Sequence, residues 1–202
     1  LWAVGRLLFW ARSLHRQAEP EQKLALGERR RALLHGLNAV VGGAAGAATM
    51  LGYAVAQAQP IVCRVRIPCP RLPPSFPASG LRIVQVSDLH IGRAIKKDYV
   101  ARVARMITDK NADVACFTGD IGDGNIATLR EDASPLADIR TKHGTYYIPG
   151  NHEYYWGMQT WLAEFKKLGF KSVINRGETV KTDAGQLFIA GVSDPTAARF
   201  AE

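Results

Sequence analysis

Apolar positions follow two different patterns along this chain. Between Leu33 and Ala58 no charged side chain appears, and small or apolar residues dominate. A helix needs ~20 such residues to cross a bilayer, so the run predicts a membrane span at about 33–58. Gly42 and Gly46 have the spacing that lets helices pack closely. His35, Asn38, Thr49 and Gln57 dilute the run. A buried soluble helix, or a cleaved export signal ending near Ala54-Val55-Ala56, therefore stays open. Residues 1–10, LWAVGRLLFW, predict the end of an earlier apolar helix and weigh against the signal, which should come first.

After residue 80 the pattern changes to short apolar runs separated by helical spacing. Leu81–Val86, Asp113–Thr118, Thr145–Ile148, Lys171–Ile174 and Gln186–Val192 predict strands. Tyr99, Val103, Met106 and Ile107 share one face of a predicted helix over 98–110, with Asp98 placed to cap its start. A helix over 127–140, with an early break near Pro135, and another carrying Trp161, Leu162, Phe165 and Leu168, ended by Gly169, complete the set. Asp183-Ala184-Gly185 reads as a turn. Strands alternating with helices predict an α/β domain. Between the two regimes, prolines at 60, 68, 70, 73, 74 and 77 mark a linker, with at most an edge strand at 61–67. The expected organisation is a membrane-associated region at 1–58, a Pro-rich linker at 59–80 and the α/β domain at 81–202.

Charge sharpens this division. The 202 residues carry a net charge of +8. Residues 1–80 hold ten Lys/Arg against three Asp/Glu, whereas 81–202 hold sixteen against fifteen. The excess lies beside the apolar run, where basic residues set membrane orientation, and the domain itself is nearly neutral. A nucleic-acid partner is not expected. Arg12, Arg16, Lys23 and Arg29–Arg31 outnumber Arg64, Arg66 and Arg71 beyond the span, which predicts a domain on the extracytoplasmic side. Three cysteines, Cys63, Cys69 and Cys116, are too few for a disulfide framework. Cys116 reads as a small core residue, and Cys63 and Cys69 as either a pair or free thiols.

Polar clusters follow three of the predicted strands: Ser87-Asp88-Leu89-His90, Thr118-Gly119-Asp120 and Pro149-Gly150-Asn151-His152-Glu153. Ligand sites in α/β sheets gather at such strand ends. Alone, each cluster reads as a turn; in order, they predict convergence of Asp88, Asp120 and Asn151. Carboxylates brought together repel unless a cation neutralises them, and His90 adds an imidazole suited to transition metals. In an extended Asp-Leu-His, residues i and i+2 point the same way and can grip one ion.

VSDLHIG, FTGDIGDG and IPGNHEYYWG resemble the first three signature blocks of calcineurin-like metallophosphoesterases, over roughly residues 80 to 202. The surrounding NHEYYWGMQTWLAEF and AGVSDPTAARF are similar to the bacterial branch with N-terminal membrane spans, related to transmembrane proteins with a metallophosphoesterase domain. The resemblance implies a β-sandwich flanked by helices, incomplete here and preceded by one or more membrane helices. It implies two divalent metal ions (Mn, Fe or Zn). Asp88 and His90 would hold the first, Asp120 would bridge both, and Asn151 would bind the second. His152 would assist the leaving group and Asp123 would orient it; Asp123 alone reads equally as a turn residue. The expected activity is hydrolysis of a phosphate mono- or diester, including a lipid-linked or UDP-sugar pyrophosphate, at a bacterial inner membrane. The family also uses later histidines, including a G-H-x-H block, which does not occur among these residues. The expectation is thus a C-terminally truncated chain with weak metal binding and poor turnover; a membrane-anchored regulatory module without catalysis is the alternative.

Overall fold

The computed structural model describes residues 20–70, 74, 76, 80–182 and 185–200. The chain divides into two compact units, Leu1–Val55 and Ala56–Glu202. The apolar segment at 1–10 and the turn residues Asp183 and Ala184 lie outside the described residues.

Helix α1 (Pro20–Ala56) starts earlier than the uncharged run and takes in Glu28 and Arg29–Arg31. Charged residues with long unbranched stems are good helix formers, so charge did not end the helix. Its segment Gly27–Ala56, 30 residues with mean hydropathy 1.5, is long and apolar enough to cross a membrane, and none of it is buried. Leu33, Leu37, Val40 and Met50 all point outward. After it, the expected edge strand at 61–67 does not form: the segment belongs to no ladder, and Ile61, Val65 and Ile67 are exposed. Extended backbone without a partner has no ladder to join, and the prolines at 60, 68 and 70 supply no N–H for one.

From residue 83 the predicted alternation appears. Strands β1 (Ile83–Val86), β2 (Val114–Thr118), β3 (Thr145–Ile148) and β4 (Phe170–Ser172) form one sheet in the order β1-β2-β3-β4, parallel throughout. Parallel neighbours require crossovers. These are α2 (Lys97–Asp109) between β1 and β2, α3 (Ile126–Ala133) with a 3-10 turn (Ser134–Asp138) between β2 and β3, and α4 (Asn151–Tyr155) with α5 (Met158–Lys167) between β3 and β4. Pro135 sits at the start of the 3-10 turn, where its missing N–H costs nothing. Asp98 does not cap α2; it lies in the first turn. Asp132 of α3 does so from a distance, accepting from the Lys97 N–H at 3.1 Å and pairing with Lys96 Nζ at 3.0 Å.

The two sheet faces are covered differently. Ala115, Phe117 and Tyr147 pack under the helices with Val100, Val103, Ile107, Leu129, Leu136, Trp161 and Phe165. Val114 and Tyr146, one residue out of phase, face a second cluster with Val173 and Val180, joined by Cys116, Ile148, Leu187 and Ile189. This second layer is an antiparallel pair, β5 (Arg176–Thr182) and β6 (Gly185–Gly191). Strand β5 was not expected. Its sequence is RGETVKT and only Val180 is buried, so no apolar alternation announces it. Lys171 Nζ to Glu178 at 2.7 Å ties it to β4. Cys116 is half-buried against the second core cluster, and burial pushes its thiol pKa up. Cys63 and Cys69 are exposed free thiols. The architecture is a mixed α/β fold with a parallel sheet between helices and a β-hairpin, in a chain that also carries an apolar N-terminal helix.

Candidate metal centre

Because β1, β2 and β3 are adjacent and parallel, their C-terminal ends lie side by side and the three polar clusters meet there. Pairing continues past the strand ends: Asp88 N donates to Gly119 O at 3.1 Å, His90 N to Asp120 O at 3.0 Å and Ile91 N to Ile121 O at 2.8 Å. Asp88, His90 and Asp120 nevertheless have φ of 55°, 48° and 54°. Left-handed backbone costs a non-glycine residue roughly 1 kcal/mol or more, least for Asp and Asn. The strain is concentrated here, since Asn111 and Asn175 are the only other described non-glycine residues with positive φ. The expected extended Asp-Leu-His is thereby corrected. Asp88 and His90 do come together, with His90 Nε2 3.8 Å from Asp88 Oδ1, but through two left-handed residues rather than a strand.

Two glycines permit the approach of β2 and β3. A Cβ on Gly119, which has φ of 93°, would lie 2.5 Å from the Gly150 Cα; one on Gly150 would strike the Asp120 carboxylate. Both loops are then fixed by one buried group. Glu153 is fully buried. Its Oε1 accepts from Ile121 N at 2.7 Å and Gly122 N at 3.0 Å, and its Oε2 from Asp120 N at 3.0 Å and Gly150 N at 2.8 Å. The bond to Gly150 is half of the reciprocal arrangement by which a glutamate at the third helical position closes a helix start. That spacing is visible in Gly-Asn-His-Glu, yet no role was expected for Glu153.

The side chains converge. Ligand atoms of His90, Asp120 and His152 lie within 4.8 Å of one another. The His90 and His152 rings meet edge to face, centroids 4.5 Å apart. His152 N donates to Asp120 Oδ1 at 3.0 Å. The Asn151 carboxamide lies against the same carboxylate: with its nitrogen turned inward it donates to Oδ1 at 3.3 Å and Oδ2 at 3.0 Å. With its oxygen inward, acceptors face each other and need a cation between them. Among the described residues, no Lys or Arg side chain pairs with Asp88, Asp120 or Asp123. Carboxylates, a carboxamide and imidazole at one partly exposed point form a donor set that fits a divalent metal.

Asp123 joins from the same loop as Asp120. Gly122 packs against the Trp161 ring so closely that a Cβ would clash, and Trp161 Nε1 donates to Gly124 O at 3.1 Å. Between these anchors, Asp123 Oδ1 lies 3.1 Å from His152 Nδ1. It also accepts from Trp156 Nε1 at 3.2 Å, a contact the sequence reading missed. His152, expected apart from the metal set, shares the cluster with His90 and Asp120; what distinguishes it is the engagement of its Nδ1. His143 lies at the opposite end of β3.

Residues 81–192 match the family described as calcineurin-like phosphoesterase. A zebrafish (Danio rerio) protein named transmembrane protein with metallophosphoesterase domain is 28% identical over 198 residues, covering 96% of this chain and 44% of the relative. An uncharacterized metallophosphoesterase of Aquifex aeolicus (strain VF5) is 37% identical over 114 residues, 56% of this chain and 42% of the relative. The UDP-2,3-diacylglucosamine pyrophosphatase LpxG of Chlamydia muridarum (strain MoPn / Nigg) is 31% identical over 86 residues, 42% of this chain and 26% of the relative. The chain thus spans less than half the length of these relatives. With three strand-end clusters gathered at one acidic, imidazole-bearing point and the whole parallel sheet inside the matched region, the chain belongs to the calcineurin-like phosphoesterase family.

Proposed function

We propose that the domain hydrolyses a phosphate ester at a centre holding two divalent ions, Mn, Fe or Zn. Asp88, His90 and Asp120 would hold one ion, and Asp120 and Asn151 the other. Bound there, such ions would acidify a water and stabilise charge growing on phosphoryl oxygens. The observation that carries this reading is the Asp120 carboxylate, set among His90, Asn151 and His152 with no Lys or Arg side chain among the described residues paired with it.

The protein's own groups do the rest. His152 Nδ1–H donates to Asp123, so Nε2 is the nitrogen left to pass a proton to the leaving oxygen. Asp123 then stabilises the imidazolium when Nε2 carries that proton. A group in this role contributes typically ~10²–10⁴-fold. We further propose an organisation of membrane-associated residues 1–58, a linker at 59–80 and the phosphoesterase domain from 81. Helix α1 would hold the protein at a bacterial inner membrane, with the domain on the side away from the basic loop. That placement, and the pyrophosphatase activity named for the Chlamydia relative, make a lipid-linked phosphate or pyrophosphate the substrate class to test first.

The test measures hydrolysis of bis-p-nitrophenyl phosphate and of a nucleoside-diphosphate lipid by the purified protein with added manganese. Asp120→Ala should lower the rate at least ~100-fold. Unchanged activity would remove Asp120 from the centre. Stoichiometric manganese binding without hydrolysis of any phosphate ester would favour the non-catalytic module.

A further inference from the structure

Trp156 is badly placed for a core residue. It is 44% exposed, directly after α4, the short helix that carries His152. Burial therefore does not account for its position. Two hydrogen bonds do. Its backbone N–H donates to His152 O at 3.0 Å, and its indole N–H reaches back to Asp123 Oδ1 at 3.2 Å, the oxygen that His152 Nδ1 meets at 3.1 Å. An indole N–H can only donate, so its partner in this geometry is an acceptor, and the carboxylate is shared by two donors.

The Asp123 side chain is 46% exposed. An exposed carboxylate with a single partner rotates about two bonds and exchanges that partner for water. A second donor from a planar, rigid side chain on an adjoining helix end removes that freedom. The main chain beneath is already fixed, by Asp123 N to Ile91 O at 2.8 Å and by Gly122 against the Trp161 ring. Trp156 supplies the missing constraint at the carboxylate itself.

We propose that Trp156 is a positioning residue for leaving-group protonation: its indole N–H locks the Asp123 carboxylate, which holds the His152 ring through Nδ1–H, so that Nε2, once it has taken a proton from solvent, is directed to the leaving oxygen. The proposal rests on the reading of His152 as the leaving-group acid. It is independent of which substrate is cleaved.

The test compares Trp156→Phe with the isosteric replacement of Trp156 by benzothienylalanine, which keeps the bicyclic shape and lacks the N–H. Both are made in the full chain, solubilised in detergent and loaded with manganese. Activity is measured on aryl phosphodiesters from p-nitrophenyl to phenyl. Protonation matters more as the leaving group worsens, so kcat should fall about tenfold for the phenyl ester and distinctly less for the p-nitrophenyl ester, with KM little changed. The same loss across the series, or none, would overturn the role. His152→Ala on the same series separates the two claims. A leaving-group-independent loss there would remove the acid reading itself, whereas a leaving-group-dependent loss that the Trp156 variants do not share would remove only the positioning. A second readout needs no turnover: ¹⁵N imidazole spectra of the metal-free protein should show the His152 Nδ1–H tautomer, with the Nε2–H form growing in both Trp156 variants. An unchanged tautomer ratio would count against the proposal.

Discussion

Replacing Glu153 by glutamine changes one oxygen to an amino group in a site with no solvent exposure. The carboxylate accepts four main-chain N–H bonds, two on each oxygen, of 2.7 and 3.0 Å on Oε1 and 3.0 and 2.8 Å on Oε2. Glutamine keeps one acceptor oxygen. The better of its two orientations satisfies two of the donors and turns an NH₂ group toward the other two. Main-chain bonds to a charged acceptor contribute ~1.5–3 kcal/mol each, so losing two costs about 3–6 kcal/mol, before any repulsion between facing donors. Against a typical domain stability of ~5–15 kcal/mol, that loosens the ends of β2 and β3 or unfolds the domain. Urea denaturation of the wild-type and Glu153→Gln proteins gives the free-energy difference. Hydrogen exchange locates it, with protection falling first at Asp120, Ile121, Gly122 and Gly150. A loss below ~1 kcal/mol with unchanged protection at those four amides would refute the idea that Glu153 fixes the two loops.

Asp113 offers a pH test. Partial burial raises its pKa, but the Lys142 ammonium at 2.8 Å and the Arg82 N–H at 2.7 Å outweigh this and hold it below the usual aspartate value. A lowered folded pKa gives stability that is present above the unfolded value of ~4 and lost as pH falls through the folded value. Asp113→Asn should therefore cost about 1 kcal/mol near neutral pH, and the gap to wild type should close in acid denaturation below pH ~4; a gap that persists there would contradict the assignment. Tyr147 is the reverse case. Its hydroxyl is buried with no hydrogen bond of good geometry, and burial first, then the Glu153 carboxylate, pushes its pKa up, so it stays protonated. Tyr147→Phe should leave stability unchanged or raise it by about 1 kcal/mol in thermal or urea unfolding, because only an unmet polar group is removed; a loss above ~1 kcal/mol would reveal a bond from this hydroxyl.

Much of the domain was readable because its information is local. The Val114–Thr118 and Thr145–Ile148 runs are short, apolar and bounded by turn residues, and they are strands β2 and β3. Val103 and Ile107 are buried at helical spacing as expected. Illegible in the sequence are the residues whose state depends on a partner distant along the chain. Strand β5 has one buried side chain in seven and exists because β6 pairs with it and Val180 meets Val114 and Tyr146. Asp98 looked like a helix cap, but Asp132, 35 residues further along than the Lys97 N–H it accepts from, takes that place.

What the sequence by itself determined is the chemistry available: carboxylates, a carboxamide and two imidazoles at the ends of three apolar strands, and an uncharged run long enough to span a bilayer. Their identities and spacings follow from covalent order and backbone periodicity alone. Only the tertiary structure decided that β1, β2 and β3 are neighbours, that Asp88, His90 and Asp120 turn left-handed, that His90 and Asp120 meet His152, and that Glu153 and Trp156 hold the loops and the Asp123 carboxylate. Those outcomes depend on main-chain donors and side-chain acceptors some thirty residues apart, and no periodicity in the chain records such pairings.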